Sequence, residues 1–250
     1  MEFIELTHNA GIATVTLNRG KVNAIHEPMA LELQALFTTL VDDADTQAVI
    51  LTGRDKFFSF GFDVPHFYDH SPEDFARFLR TFCALSSQMF LFPKPMVAAV
   101  NGHCTAGGCI LALTCDYRVM VDERAKIGLN EITFGSSIFA GSVAMLSHTV
   151  GAANAENVLL TGQLFSSSEA CQLGLVDETT AAAQVLPRAV AIAEDRAKFS
   201  TPAYGSLKRL VRQPVVDELL KREEDSIREF VEIWYSPATR EMTKGIQIRS

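Results

Sequence analysis

The chain has 250 residues and a formal net charge of −8, and 48% of its residues are hydrophobic. This length and composition are those of a globular protein that buries a large core. Nonspecific binding to nucleic acid needs a basic surface, so the acidic balance predicts no nucleic-acid partner. No apolar run of the sequence is long enough to span a bilayer, which predicts no association with a membrane.

Two features of the sequence favour a cytoplasmic protein. The N-terminal residues alternate between apolar and polar like a strand, and they lack the basic and apolar regions of a secretory signal. The five cysteines are odd in number and include no C-x-x-C pair. Reduced thiols in the cytoplasm are therefore expected.

Hydrophobic periodicity predicts alternating strands and helices in the first half of the chain. Alternating or continuous apolar residues predict strands or extended segments at 3–8, 12–18, 48–53, 57–63, 95–102 and 117–121. Helical spacing of apolar residues predicts helices at 27–41 and 72–91, and a third that begins at Gly107 and Gly108. This order of elements recurs through residue 178 and predicts an α/β fold with right-handed crossovers.

From about residue 184 the pattern becomes wholly helical. Just before it, Ser166 and Glu169 have the spacing of a capping box, and Gly174 is suited to end that helix. Later helices are expected to begin near the prolines at Pro187, Pro202, Pro214 and Pro237. The segment 216–235 is amphipathic and contains the only tryptophan, Trp234. We expect this helical tail to pack on a neighbouring subunit.

The glycine pair Gly107-Gly108 stands at the start of a predicted helix, where glycine has no conformational advantage. Backbone N–H groups at a helix start lack intrahelical partners, and glycine lets a ligand oxygen approach them without meeting a Cβ. Such a pair of residues could supply half of an oxyanion hole, with the turn at 59–63 supplying the other half. Close packing of the helix on a strand explains the two glycines equally well.

Five stretches of the sequence carry a resemblance to a known family. They read KVNAI (21–25), FFSFGFD (57–63), KPMVAAVNGHCTAGGCILALTCDYRV (94–119), AKIGLNEITFG (125–135) and LLTGQLFSSSEACQLGLVDE (159–178). In order and spacing they resemble the crotonase superfamily, the enoyl-CoA hydratase/isomerase family, over nearly the whole chain. The resemblance implies a ClpP-like α/β spiral of repeated ββα units at 1–195. It also implies a C-terminal helical oligomerisation region at 196–250, in a homotrimer or a hexamer built as a dimer of trimers.

The resemblance also implies the catalytic residues. The N–H groups of Phe62 and Gly107 would form an oxyanion hole for the thioester oxygen of an acyl-CoA. Hydratases of this family use two glutamates; this chain keeps one as Glu131 and has Ile110 at the position of the other. In this respect the chain is most similar to mitochondrial-type 3,2-trans-enoyl-CoA isomerases, which rely on a single glutamate.

Elementary chemistry agrees with a one-base reaction. Hydration needs water held between two carboxylates, whereas moving a double bond needs one base that takes a proton from C2 and returns it at C4. Apolar neighbours such as Ile127 and Phe134 should raise the pKa of Glu131, and Ile110 should exclude water. The predicted activity is therefore the conversion of a 3-enoyl-CoA to the 2-enoyl-CoA. The alternatives are hydration or another reaction of the family, and a catalytically silent acyl-CoA-binding or scaffold protein.

The remaining expected substrate contacts also follow from the resemblance. They are Lys21, Ala24, Ser59, Phe60, Gly61, Asp63, Gly108, Ile110, Phe134 and Phe139. Among them Asp63 is better suited to cap the next helix than to act as a base. We expect no metal and no separate cofactor, since CoA is part of the substrate.

Two other clusters of residues are set aside. Cysteines beside His103 match no common zinc spacing, and two of them, Cys109 and Cys115, fall on or beside the predicted buried helix. Asp116 and Arg118 resemble a structural pair of the family. Neither cluster is assigned a catalytic role.

Overall fold

The computed structural model describes residues 1–246. Its strands are β1 (Ile4–Asn9), β2 (Ile12–Leu17), β3 (Ala48–Thr52), β4 (Phe57–Ser59), β5 (Met96–Val100), β6 (His103–Thr105), β7 (Tyr117–Val121), β8 (Ile127–Gly128) and β9 (Glu178–Thr180). Its helices are α1 (Glu27–Asp42), α2 (Val64–Phe67), α3 (Pro72–Phe90), α4 (Gly107–Leu113), α5 (Ala140–Val150), α6 (Ala152–Thr161), α7 (Ser167–Leu173), α8 (Val185–Ala197), α9 (Thr201–Trp234) and α10 (Pro237–Thr243). Short 3₁₀ turns lie at Glu131–Phe134 and Ala182–Gln184.

The strands form two sheets, and the chain passes between them in a repeated unit. The larger sheet has the order β1-β2-β3-β5-β7-β9, in which β1 and β2 form an antiparallel hairpin and the other pairs are parallel. Each of β3, β5 and β7 is followed by a strand of the smaller sheet β4-β6-β8 and then by helical residues. This arrangement confirms the predicted spiral of ββα units with a helical region after it.

The interior of the larger sheet is apolar on both faces. Every residue of β3 and β5 is buried, as the unbroken apolar run in the sequence predicts. Helix α8 covers β3, β5 and β7, while α1 packs against α3. The capping box of Ser166 and Glu169 is formed, and Gly174 ends α7 in a left-handed conformation.

One prediction about the later helices is wrong. Pro214 was expected near the start of a helix, but it lies inside α9. Proline lacks an N–H and so removes one intrahelical hydrogen bond. Tertiary contacts hold the helix continuous nearby, since the Arg212 guanidinium donates to the carbonyls of Phe90 and Thr114, both at 2.9 Å.

The predicted pair between Asp116 and Arg118 is also wrong. Asp116 is paired with Lys208 at 2.8 Å and with Arg212 at 3.0 Å, both from α9. Arg118 instead pairs with Asp177 at 2.7 Å. A buried carboxylate needs charged partners, and α9 supplies them to Asp116 from a distant part of the chain.

The C-terminal helices pack on the rest of the same chain. Helix α9 contacts α3 and α5, and its residues Ile227, Phe230 and Trp234 belong to the main hydrophobic core. The predicted boundary at residue 195 lies within α8, two positions before that helix ends. No helix among residues 1–246 combines the length and the apolar character needed to cross a bilayer.

Candidate active site

A cavity of about 300 Å³ lies where the smaller sheet meets α4, the Glu131–Phe134 turn and the C-terminal helices. Its lining consists of Phe60, Phe62, Val64, Thr105, Ala106, Ile110, Asn130, Glu131, Phe134, Ser136, Ile138, Phe139, Leu164, Phe230, Trp234 and Ile246. Glu131 is the one ionisable side chain among these lining residues. The cavity is therefore an apolar chamber with a single group able to exchange a proton.

Glu131 begins a 3₁₀ turn that Gly135 ends in a left-handed conformation with φ of 73°. The Glu131 carbonyl accepts a hydrogen bond from the Ser136 N–H at 3.0 Å, which closes the turn. Although the residue as a whole is partly exposed, its Oε2 atom is sealed from solvent and has no hydrogen-bond partner within residues 1–246. This burial raises the pKa of Glu131 from its ordinary value of 4.5 to about 7. The direction confirms the prediction made from its apolar neighbours.

The turn before α2 presents a free backbone amide. The Ile25 N–H donates to the Gly61 carbonyl at 2.8 Å, and the Asp63 N–H donates to the Ile25 carbonyl at 2.9 Å. These two bonds occupy the residues on either side of Phe62. The Phe62 N–H itself has no acceptor in the described part of the chain.

The start of α4 presents a second free amide. The Ala106 N–H donates to the Gly128 carbonyl at 2.9 Å, and Ala106 has a φ of +49°, which L residues rarely adopt. No acceptor is found among residues 1–246 for the next N–H, that of Gly107. A Cβ at Gly61 would lie only 3.0 Å from the Gly107 nitrogen, so the two turns are in direct contact. The structure thus brings the two predicted oxyanion donors together.

The packing explanation for the glycine pair also holds. A Cβ at Gly108 would lie 2.5 Å from the carbonyl oxygen of Ser59, and one at Gly107 would lie 2.9 Å from the Phe62 ring. Both positions therefore require glycine before any ligand is considered. Glycine at these positions lets the start of α4 pack closely against β4 and the turn that carries Phe62.

Ile110 lies one turn into α4 and is 1% exposed. It lines the same cavity as Glu131, as predicted. An aliphatic side chain therefore occupies the position at which the hydratases implied by the resemblance carry a second carboxylate. Three other predicted residues, Phe60, Phe134 and Phe139, also line this cavity.

The other predicted substrate contacts lie outside the cavity lining. Asp63 caps α2 by accepting from the His66 N–H at 3.2 Å, and it pairs with Arg19 at 2.6 Å. This confirms the capping role of Asp63 at the end of the turn that carries Phe62. Ser59 is fully buried and donates to the Asn23 carbonyl at 2.7 Å.

Lys21 and Ala24 lie on the segment that leads into the oxyanion turn. Lys21 is exposed, whereas Ala24 is buried and its carbonyl accepts from Arg19 at 2.7 Å. Gly61 contacts the chain at Ala106 and Gly107, where α4 begins, and Gly108 contacts Ser59 at the end of β4. Neither glycine lines the cavity. These four residues frame the site and stay predictions as substrate contacts.

Sequence reasoning missed the part of the cavity wall that comes from the C-terminal helical region. Phe230, Trp234 and Ile246 close it from the C-terminal helical region. The amphipathic pattern at 216–235 and the lone tryptophan were visible in the sequence, but a helical pattern does not reveal which surface its apolar face will cover. The apolar face of this half of α9 packs on its own chain, and the expected role of the helix at a subunit interface stays a prediction.

The cysteine cluster is buried. Cys104, Cys109 and Cys115 have no exposed surface, and burial raises the pKa of each thiol. Among residues 1–246, no three His, Cys, Asp or Glu side chains come together as a set of metal ligands.

Comparisons with known proteins agree with this geometry. A model of the enoyl-CoA hydratase/isomerase family matches residues 7–248. Mouse enoyl-CoA delta isomerase 1, mitochondrial, is 32% identical over 229 residues, which cover 91% of this chain and 79% of that protein. A putative enoyl-CoA hydratase of Thermus thermophilus is 37% identical over 204 residues, 80% of each chain.

The fold comparison leads to the same group of proteins. The crystal structure of human mitochondrial delta3-delta2-enoyl-CoA isomerase superposes with a TM-score of 0.92 at 30% identity. The superposition covers 97% of this chain and 95% of the human one. Because the family model spans nearly the whole sequence and the relatives share both sequence and fold, the chain belongs to the enoyl-CoA hydratase/isomerase family.

Proposed function

We propose that this protein is an enoyl-CoA isomerase that converts a 3-enoyl-CoA to the 2-enoyl-CoA, with Glu131 as its single acid and base. The observation that carries this proposal is the cavity lining, in which Glu131 is the one ionisable group and Ile110 faces the same space. The similarity to enoyl-CoA delta isomerases of mammals supports the same activity.

The reaction moves one proton. The Glu131 carboxylate removes a proton from C2 of the substrate, and the electron pair of that C–H bond delocalises onto the thioester oxygen. The Phe62 and Gly107 amides donate to this oxygen as it gains negative charge. Glu131 then returns the proton at C4, so that the double bond lies between C2 and C3 and the carboxylate is restored.

The raised pKa of Glu131 suits both steps. A base with a pKa of about 7 is largely ionised at a slightly alkaline pH, yet it holds a proton firmly enough to return it. Removing one preorganised oxyanion donor typically costs ~10²–10³ in rate, so the two free amides account for much of the expected acceleration.

Hydration is the less favoured alternative because the cavity offers no second carboxylate to hold water. The aliphatic side chain of Ile110 and the aromatic wall formed by Phe139, Phe230 and Trp234 exclude water from the space beside Glu131. The reaction needs no metal and no redox cofactor, since the CoA thioester itself delocalises the charge. Lys21, Ala24 and the turn at 59–61 are proposed to contact the CoA portion.

The oligomeric state and the compartment are further proposals. Leu207, Leu210 and Val211 lie on one face of α9 and are 65%, 70% and 59% exposed, which suits the interface of a homotrimer or a dimer of trimers. Light scattering of the purified protein measures the assembly. The cysteine content favours the cytoplasm, which fractionation of the source cells would test.

The test of the activity is the ultraviolet absorbance of a 3-enoyl-CoA mixed with the purified protein. A lasting rise from the conjugated 2-enoyl thioester is expected, with no later loss to hydration. Glu131→Gln should abolish the rise while leaving acyl-CoA binding intact. No rise with short or long acyl chains would refute isomerisation, and a wild-type rate equal to that of Glu131→Gln would indicate a silent binding protein.

A further inference from the structure

The junction between α9 and α10, together with the first turn of α10, lies against both turns of the proposed site. We name residues 235–240 the strap. The Tyr235 hydroxyl donates to the His70 carbonyl at 2.6 Å, on the side of the oxyanion turn. The Thr239 hydroxyl donates to the Gly135 carbonyl at 2.6 Å, on the side of Glu131. One short segment is therefore bonded to both halves of the site.

On the side of Glu131, the contact is tight and buried. Thr239 is 2% exposed, and the Gly135 carbonyl it holds belongs to the residue that ends the Glu131–Phe134 turn. A Cβ at Gly135 would lie 3.3 Å from the Thr239 Oγ1, so the end of the turn is in direct contact with α10. The Gly135 N–H bonds back to Ile132 within the turn at 3.1 Å. The position of the Glu131 backbone is thereby fixed against α10.

On the oxyanion side, the strap holds the loop that follows α2. The Arg240 guanidinium donates to the Tyr68 carbonyl at 2.6 Å and lies 3.7 Å over the Tyr68 ring. Tyr68 directly follows α2, and Asp63, the cap of α2, directly follows Phe62. Because only the short helix α2 separates this loop from Phe62, we expect a displacement of the loop to move the Phe62 amide as well.

We propose that the strap fixes the Glu131 carboxylate relative to the Phe62 and Gly107 amides, and that Thr239 is the positioning residue of this arrangement. The inference rests on the proposed isomerase function. The proposed base and the Phe62 amide lie on separate chain segments, and the strap hydrogen-bonds to the first segment at Gly135 and to the second at Tyr68 and His70. A misplacement of ~1 Å in such a constellation can cost roughly 100-fold in rate.

The test compares three threonine variants. Thr239→Val removes the hydroxyl that holds Gly135 but keeps the shape of the side chain, whereas Thr239→Ser keeps the hydroxyl. Thr243→Val is the matched control, because Thr243 is 1% exposed in the same helix and its hydroxyl donates only to carbonyls of that helix, including Thr239 at 2.8 Å. Circular dichroism and thermal unfolding establish that each variant folds.

Thr239→Val is expected to lower kcat roughly 10- to 100-fold with a change in KM of less than about 3-fold. Thr239→Ser should recover most of the rate, and Thr243→Val should lower the melting temperature without this loss of kcat. Arg240→Met loosens the other attachment of the strap and should lower kcat in the same direction, which gives a second test if Thr239→Val folds poorly.

A titration that needs no turnover separates the strap from the proposed activity. The carboxyl carbon of Glu131, labelled with ¹³C and assigned with Glu131→Gln, reports its pKa by NMR. Thr239→Val should lower this pKa toward the ordinary range as water reaches the carboxylate, while Thr243→Val should keep the wild-type value. If Thr239→Val kept both the wild-type pKa of Glu131 and the wild-type kcat, the proposal that the strap positions Glu131 would be wrong. A wild-type protein that isomerises nothing would refute the activity, and the titration would still decide the role of Thr239.

Discussion

The two walls of the cavity are built in different ways. One wall, which we call the oxyanion wall after its proposed role, is formed by the turns that carry the unpaired Phe62 and Gly107 amides, in which a Cβ has no room. The opposite wall consists of side chains, with Glu131 set among Phe134, Phe230 and Trp234. The first wall depends on the close contact of two main-chain segments, and the second depends on burial by helices from the end of the chain.

This difference teaches which changes each wall tolerates. A backbone donor keeps its chemistry whatever the side chain is, but it is lost when added volume moves the main chain. A buried carboxylate keeps its position when neighbours change slightly, but its pKa responds to every change in charge and water access. Substitutions that add volume should therefore reduce activity most at the oxyanion wall. Substitutions that change charge should reduce activity most at the wall around Glu131.

The largest expected effect is that of Glu131→Gln. The amide has nearly the same shape and cannot take up a proton, so kcat should fall by about 10³–10⁴, the upper range for general acid–base catalysis. Acyl-CoA affinity should change little because the oxyanion amides are untouched. Stopped-flow absorbance and calorimetry measure the two quantities. A variant that keeps a tenth of the wild-type rate would remove Glu131 from the mechanism.

The next effect concerns the oxyanion wall. Gly107→Ala places a Cβ 2.9 Å from the Phe62 ring, so the ring must shift. We expect the turn that carries the Phe62 amide to shift with it. We expect kcat to fall ~10²–10³-fold, as for the loss of one oxyanion donor.

Gly245→Ala is the control for added volume, because a Cβ there meets nothing within 4 Å. It should leave kcat within a few-fold of wild type. Steady-state kinetics of both variants give the comparison, and full activity of Gly107→Ala would contradict the placement of the donors.

A smaller effect is expected where charge is added beside Glu131. Ile110→Glu introduces a second carboxylate into the cavity, which repels the first and provides a second site to hold water. Isomerase activity should fall roughly 10-fold and a hydrated product should appear. Ile110→Gln, of similar size without the charge, should lose activity without gaining hydration. Chromatography of the CoA products measures the share of hydrated product from each variant. The same product mixture from both variants would show that the added charge does not cause hydration.

The smallest effect is on pH dependence. In the folded protein the pKa of Glu131 is about 7, above its ordinary value of 4.5. The contribution of Glu131 to the free energy of unfolding is therefore largest below pH 4.5, and this contribution should fall by about 3 kcal/mol as the pH rises through 7. The value of kcat/KM should instead rise about 10-fold between pH 6 and 8 as Glu131 ionises.

Glu131→Gln should remove this component of the pH dependence of stability. Urea unfolding at several pH values measures it, with wild type and variant in the same buffers. Equal dependence in the two proteins would show that Glu131 titrates in its ordinary range.

The oxyanion wall was predictable from sequence and the opposite wall only in part. The family resemblance of the motifs around Phe62 and Gly107 pointed to these two residues as donors, and the structure places their two turns in contact. The raised pKa of Glu131 followed from the apolar residues next to it. Phe230 and Trp234 were not predicted to line the cavity, since helical periodicity shows an apolar face but not the surface it packs on.

Long-range contacts explain the two incorrect predictions about Pro214 and about the partner of Asp116. Pro214 lies inside α9, and nearby Arg212 hydrogen-bonds this helix to the carbonyls of Phe90 and Thr114. Both carbonyls belong to residues far earlier in the chain. The Asp116 carboxylate likewise pairs with Lys208 on α9, while Arg118 pairs with Asp177. Neither contact has a local signal in the sequence.

The central claim is that one carboxylate carries the proton from C2 to C4 inside a cavity that excludes water. The most direct measurement uses a 3-enoyl-CoA with deuterium at C2, turned over in ordinary water, with mass spectrometry locating deuterium in the product. We expect part of the 2-enoyl-CoA to carry deuterium at C4, because a buried Glu131 returns the atom it removed before exchange is complete. A product with only solvent hydrogen at C4, accompanied by hydrated acyl-CoA, would contradict a single base in a dry cavity.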